Sequence, residues 1–449
     1  MQLFNRRWDY FYQFVLEQAR SSLFTNSFFL LGGTLVSAGA GFFYWLVAAR
    51  LVPAEQIGVA TAAIAGSQLI VSISDLGMGA ALIHWAGRER QAPVNLINAV
   101  VPIYWVLGLS SAAVFVWGSP FWASGLVILR QDIFLLLFFM GFTVANCLFV
   151  AQDSAMLSVQ RARFIFLRNL ACNLPPLVLL VPASFVVEKN QLLFITYMLP
   201  NIVVGMSTSL WVLPRTFPGY RLFGQVQLAT LFNFIPYGLN VHGANLLWAS
   251  MNYLIPLIAI NLLPASETGY FYISWTLLNF VLFIPRATTT ALFVEGSQGK
   301  VSLELAAFRS LWFSWSLMVP LVVILWVGGP TILGLFGKDY IQISILQRLL
   351  LSTIPFSINS TYFIYLRVRQ RLLFSTLFAA LTAIVTITSV YTFSTAHGLV
   401  GLASGWSVGS MLVALFPISH VLLRLRLAPS HLSRPTNHRN QISIEPHEF

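Results

Sequence analysis

Apolar stretches long enough to cross a bilayer recur from residue 27 to residue 422, with only short polar connections between them. A hydrocarbon core about 30 Å thick takes roughly 20 helical residues to span. The chain offers such a length about twelve times, near 27–49, 58–83, 97–118, 131–151, 169–187, 191–213, 236–262, 270–294, 308–328, 344–366, 372–394 and 398–422. Inside hydrocarbon a backbone amide finds its partner only within a helix or a closed barrel, and these lengths suit helices. The expected fold class is an all-α polytopic membrane protein with about 12 transmembrane helices. Composition agrees: 9% of the 449 residues are charged, against about 25% in an ordinary soluble domain.

The basic residues test the span count. With the N-terminus placed in the cytoplasm, twenty Arg and Lys fall on the inner side; Arg50, Arg130, Lys189, Lys338 and Arg348 fall on the outer side. That is the expected positive-inside asymmetry, and it puts both termini in the cytoplasm. The net charge of +11 therefore reads as topology rather than nucleic-acid binding. Arginines make up 22 of the 25 basic residues; this suits phosphate recognition, though genomic base composition produces the same bias. Cys147 and Cys172 lack metal-ligand spacing and read as small core residues.

At the N-terminus, Phe4, Trp8, Phe11 and Val15 share one helical face, with Arg6, Asp9, Gln13 and Arg20 away from it. Residues 1–25 are expected to form an amphipathic helix in the membrane interface rather than a signal peptide. The polar segment 426–449 is expected to be a disordered cytoplasmic tail.

Leu51 to Gly58 and Leu262 to Gly269 share the frame Leu-x-Pro-Ala-x-x-x-Gly at an offset of 211 residues (262 − 51). The offset extends into the preceding span, where Gly32, Leu35, Ala38, Leu46 and Ala48 match Gly243, Leu246, Ala249, Leu257 and Ala259. Both connectors fall on the outer side, so the chain reads as two parallel six-helix halves, 26–214 and 215–425, about an axis along the membrane normal.

The stretches GTLVSAGAGFFYWLVAARLVPAEQIGVATA (33–62) and SDLGMGAALIHWAG (74–87) carry a family resemblance. With RARFIFLRN (161–169), ALFVEGS (291–297) and INSTYFIYLRVRQR (358–371), the sequence resembles the polysaccharide, or O-antigen, flippases of the multidrug/oligosaccharidyl-lipid/polysaccharide (MOP) exporter superfamily. The resemblance spans about 27–425. It implies a MATE-like, multi-pass protein of the bacterial inner membrane that flips a polyprenyl-pyrophosphate-linked oligosaccharide for lipopolysaccharide assembly. The implied partners are that lipid-linked substrate, membrane lipids and polysaccharide-assembly proteins.

Ionisable groups inside a membrane mark candidate functional sites. Asp75 in the second span and Arg286 in the eighth stand 211 residues apart (286 − 75). They are expected to pair in one access state and to separate when Arg286 takes an anionic head group; a static ion pair, or two separately hydrated groups, is the alternative. His242, Asn245, Ala249 and Asn252 form one polar stripe on the seventh span, and Tyr272, Trp275, Asn279 and Arg286 another on the eighth. Together they are expected to line a wet cavity suited to sugar hydroxyls, although such residues also bind helices to each other. Pro256 and Pro285 are candidate kinks. Arg50 either guides a pyrophosphate outward or anchors in the head-group layer. On the tenth span Asn359 and Tyr362 are expected to face the cavity, whereas Arg367, Arg369 and Arg371 are assigned to topology.

No phosphate-binding loop, no His-Glu-x-x-His and no paired-Cys motif occurs, so neither cofactor nor metal is expected. Two readings compete with the flippase. A small-molecule or drug antiporter that takes cations calls for acidic groups in the cavity, and a membrane-embedded polymerase or ligase calls for a large outer loop. Asp75 is the only acid placed deep in the membrane and Arg286 offsets it, and none of the outer loops is long, so the expectation is a transporter rather than an enzyme.

Overall fold

The computed structural model describes residues 22–86, 92–224, 228–297 and 302–427. The expected interfacial helix and the C-terminal tail fall almost wholly outside the described residues. Within them the chain is helical, with no strand. The long helices are α1 (Ser22–Leu51), α2 (Ala54–Asp75), α3 (Met78–Ala86), α4 (Ala92–Trp122), α5 (Ile133–Ser158), α6 (Ala162–Ala183) and α7 (Lys189–Thr216, with π-helical turns). The second half holds α8 (Leu228–Leu262), α9 (Ala265–Ser297), α10 (Leu303–Phe336), α11 (Ile343–Val368) and α12 (Leu372–Leu427).

Eleven helices among the described residues are long and apolar enough to cross a membrane. The last of them, α12, has 56 residues, about 84 Å at 1.5 Å per residue, far more than one bilayer. Its backbone leaves helical geometry at His397 (φ −133°) and Gly398 (φ 58°), and the chain doubles back. Gly401, Gly405 and Gly409 then press against Phe393, Ser389 and Thr386 of the first arm. The two arms are the expected eleventh and twelfth spans.

The repeat seen in the sequence is a repeat of packing. Span one packs on span five (α1 on α6), and span seven packs on the helix that holds span eleven (α8 on α12). At the connector end the halves meet reciprocally. A Cβ on Gly58 would stand 2.0 Å from the carbonyl oxygen of Ala265, and one on Gly269 would stand 2.1 Å from that of Ala54. Both pairs obey the 211-residue offset (54 + 211 = 265; 58 + 211 = 269), so both connectors lie at one end and the halves run in the same sense. Flanking contacts follow the same symmetry. Arg50 donates from Nε to the Leu335 carbonyl at 2.7 Å and from Nη2 to that of Gly334 at 3.0 Å, capping the end of α10. Its counterpart Asn261 accepts the Ser124 amide at 3.1 Å, just beyond the end of α4. Arg50 thus joins the halves rather than standing free at a mouth.

The opposite end repeats as well. Between α5 and α6, Gln160 adopts φ 56° and the Arg161 amide bonds the Met156 carbonyl at 2.9 Å. Between α11 and α12, Gln370 adopts φ 56° and the Arg371 amide bonds the Leu366 carbonyl at 3.0 Å. The offset here is 210 (370 − 160), one residue shorter than at the connectors.

Large apolar side chains cover the outside of the bundle, among them Val114, Trp117 and Phe121 on α4 and Val323, Ile324 and Val327 on α10. Such a surface suits lipid and not water. Because lipid is as apolar as leucine, helices in it associate through close packing and interhelical hydrogen bonds worth roughly 0.6 kcal/mol each. Tyr44 to Thr196 (2.9 Å), Asn173 to Ser37 (3.1 Å) and Trp406 to Ser352 (2.8 Å) are bonds of this kind. The two cysteines are buried and free.

Candidate functional site

A cavity of about 590 Å³ lies between the halves, lined by α2, α8, α9 and α11. Its polar groups come from stripes that a helical repeat places on one face: Asn245, Asn252 and Tyr253 on α8, Tyr272, Asn279 and Arg286 on α9, and Ser360 and Arg367 on α11. From α2 only Gln68 and Thr61 add polar groups. Among the described residues the charged ones in this lining are Arg286 and Arg367, and no carboxylate accompanies them.

Arg286 is held at one edge of its guanidinium. Nη2 donates to Asn252 Oδ1 at 3.1 Å and to Asn279 Oδ1 at 3.0 Å, and the group lies 5.8 Å from the centre of the Phe356 ring. Two neutral amides orient the cation without neutralising it, and the side chain is exposed to the cavity. Among the described residues no hydrogen bond engages its Nε or Nη1, and those donors can bind a bidentate anion such as a phosphate. Arg367 donates to Asn245 Oδ1 at 2.6 Å and sits 5.7 Å from the Phe363 ring. Phe363 in turn stacks on Trp248 with centroids 4.7 Å apart and planes 6° apart. The site therefore combines two oriented cations, several amides and a flat aromatic surface.

Several expectations need correction. Asp75 does not pair with Arg286. The helix breaks immediately after Asp75, where Leu76 (φ 46°) and Gly77 (φ 77°) turn left-handed, so the expected single second span is two helices, α2 and α3. Freed from the helical face, the Asp75 carboxylate accepts the Gly79 amide at 3.0 Å and caps α3; it also accepts the Tyr104 hydroxyl and lies 3.0 Å from His242 Nδ1. His242 is likewise outside the cavity lining, because its ring crosses from α8 to the end of α2. Asn245, Ala249 and Asn252, the rest of that stripe, do line it. Trp275 reaches the cavity only with an edge; it is 4% exposed and packs edge-on against Trp406 at 4.9 Å. Asn359 is buried, donating to the Ser410 carbonyl at 3.0 Å, and so binds α11 to α12. Tyr362 turns away from the cavity and meets His420 at 3.0 Å. Through Pro256 and Pro285 the helices α8 and α9 remain helical.

Arg367 and Trp248 are cavity residues that the sequence reading missed. The signal was present: Ser360, Phe363, Ile364 and Arg367 follow the same i, i+3, i+4, i+7 spacing used on α8 and α9.

Behind the α2 and α8 walls lies a second, almost wholly apolar groove of about 780 Å³. It is lined by the other face of α2 (Leu69, Ile70, Ile73), by Leu254, Leu257 and Ile258 of α8, and by α4 and α12.

No family model matches the sequence, and no curated protein sequence matches it. Solved structures do match the fold. The chain is similar to a lipid II flippase, MurJ, in an inward closed conformation (TM-score 0.72, 13% identity, 88% of this chain and 87% of that one). It is also similar to an inward-facing multidrug resistance MATE family transporter of the MOP superfamily (TM-score 0.66, 14% identity, 87% and 95%). An outward-facing MATE transporter of that superfamily matches with TM-score 0.60 and 16% identity over 90% and 95%. The molecule is a multi-pass membrane protein with a MATE/MurJ-like fold.

Proposed function

We propose that the protein is an alternating-access transporter that flips a polyprenyl-pyrophosphate-linked oligosaccharide across the bacterial inner membrane, for O-antigen or related polysaccharide assembly. The observation that carries this reading is the charge of the cavity: Arg286 and Arg367 face it, with no carboxylate in the lining among the described residues. A diphosphate and a sugar chain cannot cross hydrocarbon unaided, and an oriented guanidinium replaces water around the phosphate oxygens. Asn252, Asn279 and the Trp248–Phe363 stack supply hydrogen bonds and a flat face of the kind sugars bind. The apolar groove behind α2 and α8 suits a hydrocarbon tail that stays in the lipid while the head group crosses. Likeness to a lipid II flippase supports the same reading, and the fold is one that transporters use.

The MATE neighbours favour a second reading, a drug antiporter. Cationic drugs need a negative partner, and Asp75 of α2 is already engaged by Gly79, Tyr104 and His242. Reconstituted vesicles separate the two. A fluorescent lipid-linked oligosaccharide should change leaflet in vesicles holding the protein, and should do so more slowly in vesicles holding Arg286→Gln. Uptake of a cationic dye with no movement of the lipid would reverse the assignment; chemical alteration of the lipid would make the protein an enzyme.

A further inference from the structure

His242 makes two contacts that together define a site for a ligand other than the substrate. Its Nε2 lies 2.7 Å from the Ser72 carbonyl oxygen, and its Nδ1 lies 3.0 Å from Asp75 Oδ2. A carbonyl oxygen only accepts, and so does a carboxylate, whereas a neutral imidazole donates from one nitrogen alone. Both contacts are hydrogen bonds only if the pair holds one proton more than a neutral imidazole and a carboxylate carry. That proton sits either on the ring, giving imidazolium and carboxylate, or on Asp75, giving a carboxylic acid that donates to Nδ1. The count is one in both cases.

The location gives the proton a mechanical role. Asp75 and Ser72 belong to α2 in the first half, and His242 belongs to α8 in the second. Asp75 lies 21 residues along from Ala54 (75 − 54), about 32 Å from the connector contact at 1.5 Å per residue. The halves are therefore joined at one end by the reciprocal glycine contact, which never titrates, and toward the other end by a contact that requires a proton. The cluster is nearly closed to solvent, with His242 and Asp75 side chains 15% and 14% exposed. Among the described residues, the other titratable groups facing it are Tyr104 from α4, Cys147 from α5 and Tyr253 from α8. These are phenols and a thiol, which act as neutral donors around neutral pH.

We propose that His242 and Asp75 form a proton-binding site whose occupancy clasps the two halves together at the end opposite the connectors. Loss of the proton leaves a ring-nitrogen lone pair facing an oxygen in a partly dry contact, and the halves part there. If the protein is the transporter proposed above, proton binding at this site biases its access states; the clasp itself does not depend on that reading.

The test is a distance measured by spin labels at Ile83→Cys on α3 and Val294→Cys on α9, both exposed positions toward that end. The protein is held in nanodiscs of phosphatidylethanolamine and phosphatidylglycerol without substrate, and the native buried cysteines stay in place. At acid pH the distance should be short, and at alkaline pH it should shift to a longer population. Asp75→Asn supplies an amide that donates to the lone pair on Nδ1 of the neutral ring, so that variant should stay short from neutral to alkaline pH. His242→Ala should lose the short population at every pH. A wild-type distance that ignores pH, or an Asp75→Asn distance that tracks pH as the wild type does, overturns the proposal. Because no substrate is present, failure of the flippase reading leaves this outcome untouched.

Discussion

Gly58 touches the backbone of Ala265, and its counterpart Gly269 touches that of Ala54, so each connector supplies both surfaces of one twofold contact. Leu-x-Pro-Ala-x-x-x-Gly is written twice because each copy is the complement of the other. Proline ends the incoming helix, alanine offers its carbonyl, and glycine leaves room for the carbonyl arriving from the opposite half. Gly58→Ala and Gly269→Ala each place a methyl within 2.1 Å of an oxygen, an overpacking expected to cost about 1–3 kcal/mol. Each should lower the thermal unfolding midpoint. Each should also speed reaction of a cysteine at Thr61, which is buried, with a thiol reagent added from the connector side. Unchanged midpoint and unchanged labelling in both variants would show that the contact does not hold the halves.

Arg286 and Arg367 are expected to act as anion ligands, not as scaffolding. A hydrogen bond to a charged group is worth roughly 1.5–3 kcal/mol, about tenfold or more in affinity. Arg286→Gln and Arg367→Gln should weaken binding of a lipid-linked pyrophosphate by at least that factor without lowering thermal stability. Arg286→Lys should recover only part, since a point charge replaces a planar fork. Titration of the purified variants with the lipid checks this, and full flipping activity in Arg286→Ala is the result against it.

Arg168 explains why RARFIFLRN stands out without touching the cavity. The guanidinium pairs with Asp153 of α5 and lies 4.4 Å from the Phe149 ring, with its side chain 8% exposed. Removing one member of such a pair strands the other and costs about 3–5 kcal/mol. Arg168→Met alone should destabilise strongly, and adding Asp153→Leu should restore much of the loss. Thermal unfolding in detergent of the two single variants and the double variant measures the coupling directly.

Gly398 turns α12 back on itself at φ 58° and ψ −137°, a region that side chains with a Cβ avoid at roughly 1–3 kcal/mol. No neighbour lies within 4 Å of a Cβ built there, so backbone strain alone sets the effect. Gly398→Ala should lower the melting temperature, whereas Gln370→Gly, which relaxes a side-chain residue at φ 56°, should hold or raise it. Reversed signs in the two variants would refute a backbone origin.

Hydropathy and helical period determined a great deal by themselves. Twelve apolar lengths, one connector written twice, and polar stripes on two spans are properties of the chain read in order, because burial in lipid allows backbone amides few alternatives to a helix. The repeat also announced the twofold and the shared sense of the halves. Partners across the bundle were decided only by tertiary structure. Asp75 and Arg286 hold equivalent places in the two repeats, yet the αL break at Leu76 and Gly77 swings Asp75 to His242, Gly79 and Tyr104, while unbroken α9 keeps Arg286 on the cavity face. Arg50 found the end of α10, and Arg367 found Asn245, more than a hundred residues away in sequence. Spacing along a helix states which residues share a face; the rotation of that face toward a neighbour is set by how whole helices pack, and no short window of sequence contains that information.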